Sequence, residues 1–443
     1  MEKVTASHPA LRLGRYTIVR SLGAGGMAEL FLARVDGIAG FTKLCAVKRI
    51  LPHKSSNERF VRMLLNEARL VATLDHPNIA QVHDIGVENN EYFFAMEYVH
   101  GQDLRHVLHA APNHRLRLEN AIHVALGLCA GLHHAHEARD ASGASLEIVH
   151  RDVSPSNVLV SYQGAVKLVD FGVAKAATVV SETREGIIKG KYGYMSPEQC
   201  LGAPLDRRSD LFAVGILLWE MTVGRRLYKL SGDLATLQRV VYVDAPRPSR
   251  FIPDYPPALE SIVMRMLARD ADKRFQTAEE AQLALEAFAR NTRLQVSAVT
   301  MSIEMRKLFE DRVEAWVAAE QAGHTLADHL AIESPVAEIV SSDELSAIEI
   351  APVVEQETKE APRVTMSVAP PSARATTPPT APEIAPVSTP PTITPRASTS
   401  RRFEVPHPLV APRPQRSRVI PLVIVLLVLG AFTTLWLLLH ANS

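Results

Sequence analysis

The sequence predicts an α+β architecture of two lobes. Three observations carry this reading: strand-like segments come first, helical periods follow, and proline is concentrated in one late stretch. Segments 15–35 and 44–49 alternate or carry short apolar runs around a glycine cluster, as β-strands do. Segment 57–73 has the period of an amphipathic helix and ends at the turn signal His76-Pro77-Asn78. Helical patterns recur over 121–138 and 209–222. The chain of 443 residues is 47% hydrophobic, ample for a large core, which excludes global disorder. Its 48 basic residues balance 48 acidic ones, which argues against a nucleic-acid coat, and no nucleic-acid partner is expected. Cys45, Cys129 and Cys200 make neither a disulfide framework nor a paired metal-ligand spacing, as suits a reducing compartment.

Four zones follow from composition. Residues 16–288 read as one folded domain. A helical extension over 289–330 places Met305, Leu308, Val313, Trp316 and Val317 near one stripe. It is expected to pack on the preceding domain, a dimer or partner helix being the alternative. More than half of the 29 prolines fall in 331–418 among Thr, Ser and Ala, the composition of a disordered or polyproline-type linker. Segment 419–439 contains no charge, and at about 1.5 Å per residue it reaches the thickness of a bilayer core. Arg413, Arg416 and Arg418 precede it, so the expected topology is single-pass and C-terminally anchored in the cell membrane, with everything before it cytoplasmic. The linker is itself polarised. Acids dominate 333–360 and arginines dominate 363–418, next to the anchor, where anionic lipid attracts them.

The chemistry lies in the first zone. Leu22, Gly23, Ala24, Gly25, Gly26, Met27, Ala28, Glu29 and Leu30 lie between two strands, where glycines let backbone N–H groups approach a polyphosphate. An ordinary hairpin explains such a turn equally well when it stands alone. Here it precedes Cys45-Ala46-Val47-Lys48, a lysine inside an apolar strand, which is costly unless paired. Glu67 on the next helix is the expected partner. Then come His150-Arg151-Asp152, Asn157 and Asp170-Phe171-Gly172, two carboxylates and a carboxamide on closely spaced loops. That set suits a divalent metal bound to a nucleotide, with one acid left to orient a hydroxyl and accept its proton. Met195-Ser196-Pro197-Glu198 closes the series.

In this order and approximate spacing, the motifs of 16–288 resemble the eukaryotic-type protein kinases, specifically the bacterial Ser/Thr kinases. The resemblance implies a strand-rich N-lobe, a helical C-lobe, ATP, and Mg²⁺ or Mn²⁺. It implies that Gly23, Gly25 and their neighbours cover the phosphates and that Asp152 is the catalytic base. Asn157 and Asp170 would hold the metal, and Lys48 would pair with Glu67. ATP would further meet Ala46, Leu159 and the hinge Met96 to Val99, including Glu97. Glu198 would pair with Arg274, and Asp210 would brace the catalytic loop.

Ser154 departs from the family, which usually keeps there a lysine that touches the γ-phosphate. Lys191 stands where those kinases usually have a threonine, and its ammonium is expected to replace the missing one. Ala28 for the third loop glycine and Ser196 in the Ala-Pro-Glu motif are milder changes. Arg151 suggests control by phosphorylation of Thr178, Ser181 or Thr183, with self-association for trans-autophosphorylation. Protein substrates and the bilayer are the expected partners. The competing readings are a pseudokinase scaffold and a tyrosine kinase, both of which draw on Ser154.

Overall fold

The computed structural model describes residues 11–25, 28–37, 42–51, 58–89, 91–171, 192–230 and 232–332; the side chains of 58–60, 63–64 and 66–67 lie outside the description. Its N-lobe is an antiparallel sheet of six strands: β1 (Arg12–Leu13), β2 (Tyr16–Ala24), β3 (Ala28–Asp36), β4 (Thr42–Ile50), β5 (Val82–Glu88) and β6 (Glu91–Glu97), in the order β1-β2-β3-β4-β6-β5. Helix α1 (Glu58–Ala72) packs beside β5 and buries Val61, Ala68 and Val71 along one stripe.

Register decides which N-lobe side chains face the cleft. Leu30 pairs with Lys48 and Lys48 with Phe94, while Glu29 pairs with Arg49 and Arg49 with Phe93. Residues opposite each other share a face and sequence neighbours alternate, so Leu30, Ala46, Lys48 and Met96 lie on one face and Glu29 and Arg49 on the other. Beyond the hinge come β7 (Gly101–Asp103), β8 (Val158–Ser161) and β9 (Val166–Leu168), a small sheet under the cleft. The C-lobe helices are α2 (Leu104–Ala110), α3 (Leu118–His136), α4 (Pro197–Cys200), α5 (Arg207–Val223), α6 (Asp233–Tyr242), α7 (Pro257–Met266) and α8 (Ala278–Thr292). Every residue of α5 from Ser209 onward is buried, as expected of a helix apolar on all sides.

The extension packs on the preceding domain along the expected stripe, but not as one helix. It forms three helices, α9 (Ala298–Leu308), α10 (Glu310–Gln321) and α11 (Leu326–Ile332), broken at Phe309, with a non-helical φ of −129° and ψ of 40°, and at the turn around Gly323, φ 85°. Met305 is fully buried, Leu308 and Val313 pack against the same C-lobe core and Trp316 meets His100, so the stripe continues across the break and only Val317 is exposed. The domain also runs slightly past 288, to the end of α8, and α11 slightly past 330. Among the described residues no helix is long and apolar enough to cross a membrane; segments 333–418 and 419–439 lie outside them.

Candidate active site

The catalytic loop is held from below by Asp210, on the first turn of α5. Its Oδ2 accepts from the His150 N–H and from His136 Nε2, both at 2.8 Å, and its Oδ1 accepts from the Arg151 N–H at 2.8 Å. Burial pushes this carboxyl up, but the His136 hydrogen bond and the His150 N–H outweigh it and hold it below the usual range. The bracing role expected of Asp210 is therefore met. His136 serves that brace, and His134 stacks on His76 at 5.1 Å.

Arg151 sits at φ 65°, a left-handed conformation that costs a bulky residue about 1–2 kcal/mol. Asp210 on its N–H and Gln199 Nε2 on its carbonyl, at 2.8 Å, hold it there. Next to it, His150 is fully buried. Its Nδ1 accepts from the Asp152 N–H at 3.3 Å, so Nε2 carries the proton and donates to Val169 O at 3.1 Å. Burial depresses its pKa despite the nearby acids, consistent with a neutral ring. The imidazole packs 4.5 Å from Phe171, which is itself buried.

The acids converge through Asn157. Its amide Nδ2 donates to Asp152 O at 2.8 Å and to Asp152 Oδ2 at 2.7 Å, fixing the base candidate's carboxylate. Asn157 O accepts from Val169 N–H at 2.9 Å, which ties the loop to the residue before Asp170. Asp170, at φ 56°, meets Lys48 Nζ with Oδ1 at 2.8 Å and keeps 42% of its side chain exposed. The Asn157 carboxamide oxygen and the Asp170 carboxylate are hard oxygen donors of the kind Mg²⁺ takes, so the residues fit the metal. Lys48, Val71, Val82, Met96, Asp170 and Phe171 line a cleft cavity. A Cβ built on Gly23 would meet nothing within 4 Å, so that glycine is not required by packing of the protein against itself.

Some candidates fall elsewhere. The Glu29 side chain faces away from the cleft and binds Arg49 at 2.6 Å, so only its backbone could serve a nucleotide. Glu97 accepts from Lys167 Nζ at 2.8 Å and its N–H donates to Gln81 O at 2.8 Å, so its side chain and N–H are both committed and its carbonyl and the Val99 backbone remain the candidates for the hinge role. Leu159 is half-exposed between buried Val158 and Val160, on the face of β8 turned from the core. Ser154 is buried, with Oγ 3.2 Å from Ser156 Oγ. Gly26, Met27, Gly172, Thr178, Ser181, Thr183 and Lys191, and the Glu67 side chain, lie outside the described residues. Sequence reading did not foresee the His150–Phe171 contact, the His136 bond or the Lys167–Glu97 bridge. Each joins residues far apart in the chain, and none carries a local signal.

Glu198 and Arg274 pair as expected, at 2.7 and 2.8 Å, and the remaining Arg274 donors reach the carbonyls of Ala268, Arg208 and Arg269. A two-lobed fold with a lysine–aspartate contact above and an aspartate–asparagine pair below is that of a protein kinase. The protein kinase domain model matches residues 16–284, and the chain belongs to that family. It is 43% identical over 277 residues to the tyrosine-protein kinase MasK of Myxococcus xanthus, covering 62% of this chain and 43% of the relative. It is 33% identical over 267 residues to the serine/threonine-protein kinase PrkC of Bacillus subtilis, covering 60% and 39%. The chain thus spans about two fifths of the length of these relatives. A crystal structure of a Mycobacterium tuberculosis PknI kinase domain double mutant aligns with a TM-score of 0.50 and 26% identity, covering 64% of this chain and 99% of that one.

Proposed function

We propose that the protein transfers the γ-phosphoryl of ATP to serine or threonine hydroxyls of protein substrates. The observation that carries this is the Asp152–Asn157 pair set beneath Lys48 and Asp170. Asp152 aligns the acceptor hydroxyl and takes its proton. Lys48 holds the α/β-phosphates, and the backbone of 22–30 closes over them. Asn157 and Asp170 would hold Mg²⁺, or Mn²⁺ in its place. When bound, the metal neutralises charge that develops on the phosphate oxygens. The named serine/threonine kinases among the relatives support this acceptor class.

Tyrosine is the second reading, favoured by Ser154 in place of the family's lysine and by the name of the Myxococcus relative. The test is incubation of the purified chain with labelled ATP and Mg²⁺ beside Asp152→Asn, followed by phosphoamino-acid analysis. Phosphoserine or phosphothreonine supports the first reading and phosphotyrosine the second. No label from the wild type would leave a nucleotide-binding scaffold.

Three finer elements belong to the proposal. Segment 419–439 anchors the chain in the cell membrane with the kinase on the cytoplasmic side, which fractionation and protease protection would test. Arg151, whose buried Nε has no hydrogen-bond partner among the described residues, pairs with the phosphate that trans-autophosphorylation places on Thr178, Ser181 or Thr183; phosphosite mapping tests this. Lys191 supplies the charge that Ser154 lacks, and a near-wild-type kcat in Lys191→Ala would sink that idea.

A further inference from the structure

The helical extension lies beyond the span matched by the family model, and it touches both lobes. Helix α9 is fixed to the C-lobe: Met301 and Met305 are fully buried, and Ser302 Oγ donates to Tyr162 O at 2.9 Å. At Gly164 (φ 86°) a Cβ would sit 1.9 Å from Ala298 O, so the β8–β9 turn accepts α9 only as glycine. The Tyr162 ring stands edge-on to His100 at 4.9 Å and meets Phe309 at 6.2 Å. Helix α10 then passes His100, the residue after the hinge segment. Trp316 meets that imidazole edge-on at 6.1 Å and His329 of α11 at 5.6 Å. Helix α11 packs against β2, the strand that enters the glycine-rich turn, with Ala327 and Leu330 buried. Thr325 hydrogen bonds first, and the nearby His324 and Arg34 charges after them, hold the Asp328 carboxyl below its usual range; Arg34 belongs to β3.

One segment therefore meets the C-lobe, the residue past the hinge and the N-lobe in turn. No residue of α10 is fully buried; it is held by Val313 against the C-lobe core and by Trp316 against His100. We propose that α10 and α11 form a brace across the hinge, in which Trp316 and Leu330 are positioning residues that keep β2 at the spacing where the cleft takes ATP. This rests on the nucleotide reading above. Ligand affinity falls with the fraction of molecules in the competent arrangement, so releasing the brace weakens ATP binding and leaves Asp152, Asn157 and Asp170 in place.

The test uses the full chain and its Trp316→Ala, Trp316→Phe and Leu330→Asp variants. It measures KM for ATP, kcat, Kd for ATP with Mg²⁺, and hydrogen exchange of the β2 amides. Trp316→Ala and Leu330→Asp are expected to raise KM and Kd about 5- to 10-fold with kcat within about twofold, while Trp316→Phe stays near wild type. The β2 amides exchange faster in the first two variants. KM and Kd within about twofold of wild type in both would overturn the brace, as would a fall in kcat without a change in KM. A wild-type chain that binds no ATP would overturn the nucleotide reading and the brace together.

Discussion

Asp210 and Asp170 are the same residue in two settings. Asp210 is 1% exposed, and its two oxygens are occupied by His136, His150 and Arg151. Asp170 keeps 42% of its side chain open beside Lys48. The Glu198–Arg274 pair belongs with Asp210, since the Arg274 side chain is 0% exposed and each of its nitrogens is bonded. A carboxylate sealed in a complete network can only hold backbone in place. One left open to a cleft can take a metal or a substrate and release it. The C-lobe network is the scaffold, and the cleft acids are the chemistry it positions.

The sharpest test of this contrast is Asp152→Asn, which keeps the shape and loses the base. It should lower kcat about 100- to 10,000-fold while the melting temperature stays at the wild-type value, measured by steady-state kinetics and calorimetry. Arg274→Ala should show the reverse pattern in denaturant unfolding. It leaves the half-buried Glu198 carboxylate with Ser209 but without its cation and should cost about 3 kcal/mol of stability. A smaller effect is expected at the extension. Gly164→Ala, at a left-handed position against Ala298, should destabilise by more than the ~1 kcal/mol gained elsewhere by a Gly-to-Ala change, with early exchange of α9 amides.

The pH response should be gentler still. His150 has its folded pKa lowered by burial, so its contribution is complete above the unfolded value, about 6.5, and is lost as pH falls below it. Glu198 and Asp210 are also depressed, their partners outweighing burial, and their contributions are lost only below about pH 4. The melting temperature should therefore decline in two stages on acidification. A flat profile from pH 7 to 5 would contradict a neutral, buried His150.

Much of the site was legible in the sequence because its parts are local words. His150-Arg151-Asp152 with Asn157, and Asp170-Phe171, sit on short loops whose spacing survives any detail of packing. Glu198 with Arg274 and Asp210 under the loop were also legible, through the resemblance. The sequence put Glu29 in the phosphate-covering turn but did not show which way its side chain faces, because strand alternation acquires a direction only through the β3–β4 register. The stripe of the extension was legible in its period, but the break at Phe309 was not, since an apolar residue carries no stop signal.

By itself, then, the sequence determined the family, the order of lobes and the candidate residues for the chemistry, because motif spacing and hydrophobic period belong to the chain. Only the tertiary structure decided which face of β3 sees the cleft, that Lys48 meets an aspartate 122 residues away, and that the extension crosses the hinge to β2. Those outcomes depend on contacts between distant segments. Such contacts form only when burial and hydrogen bonding in the whole fold offset the entropy of closing the intervening chain.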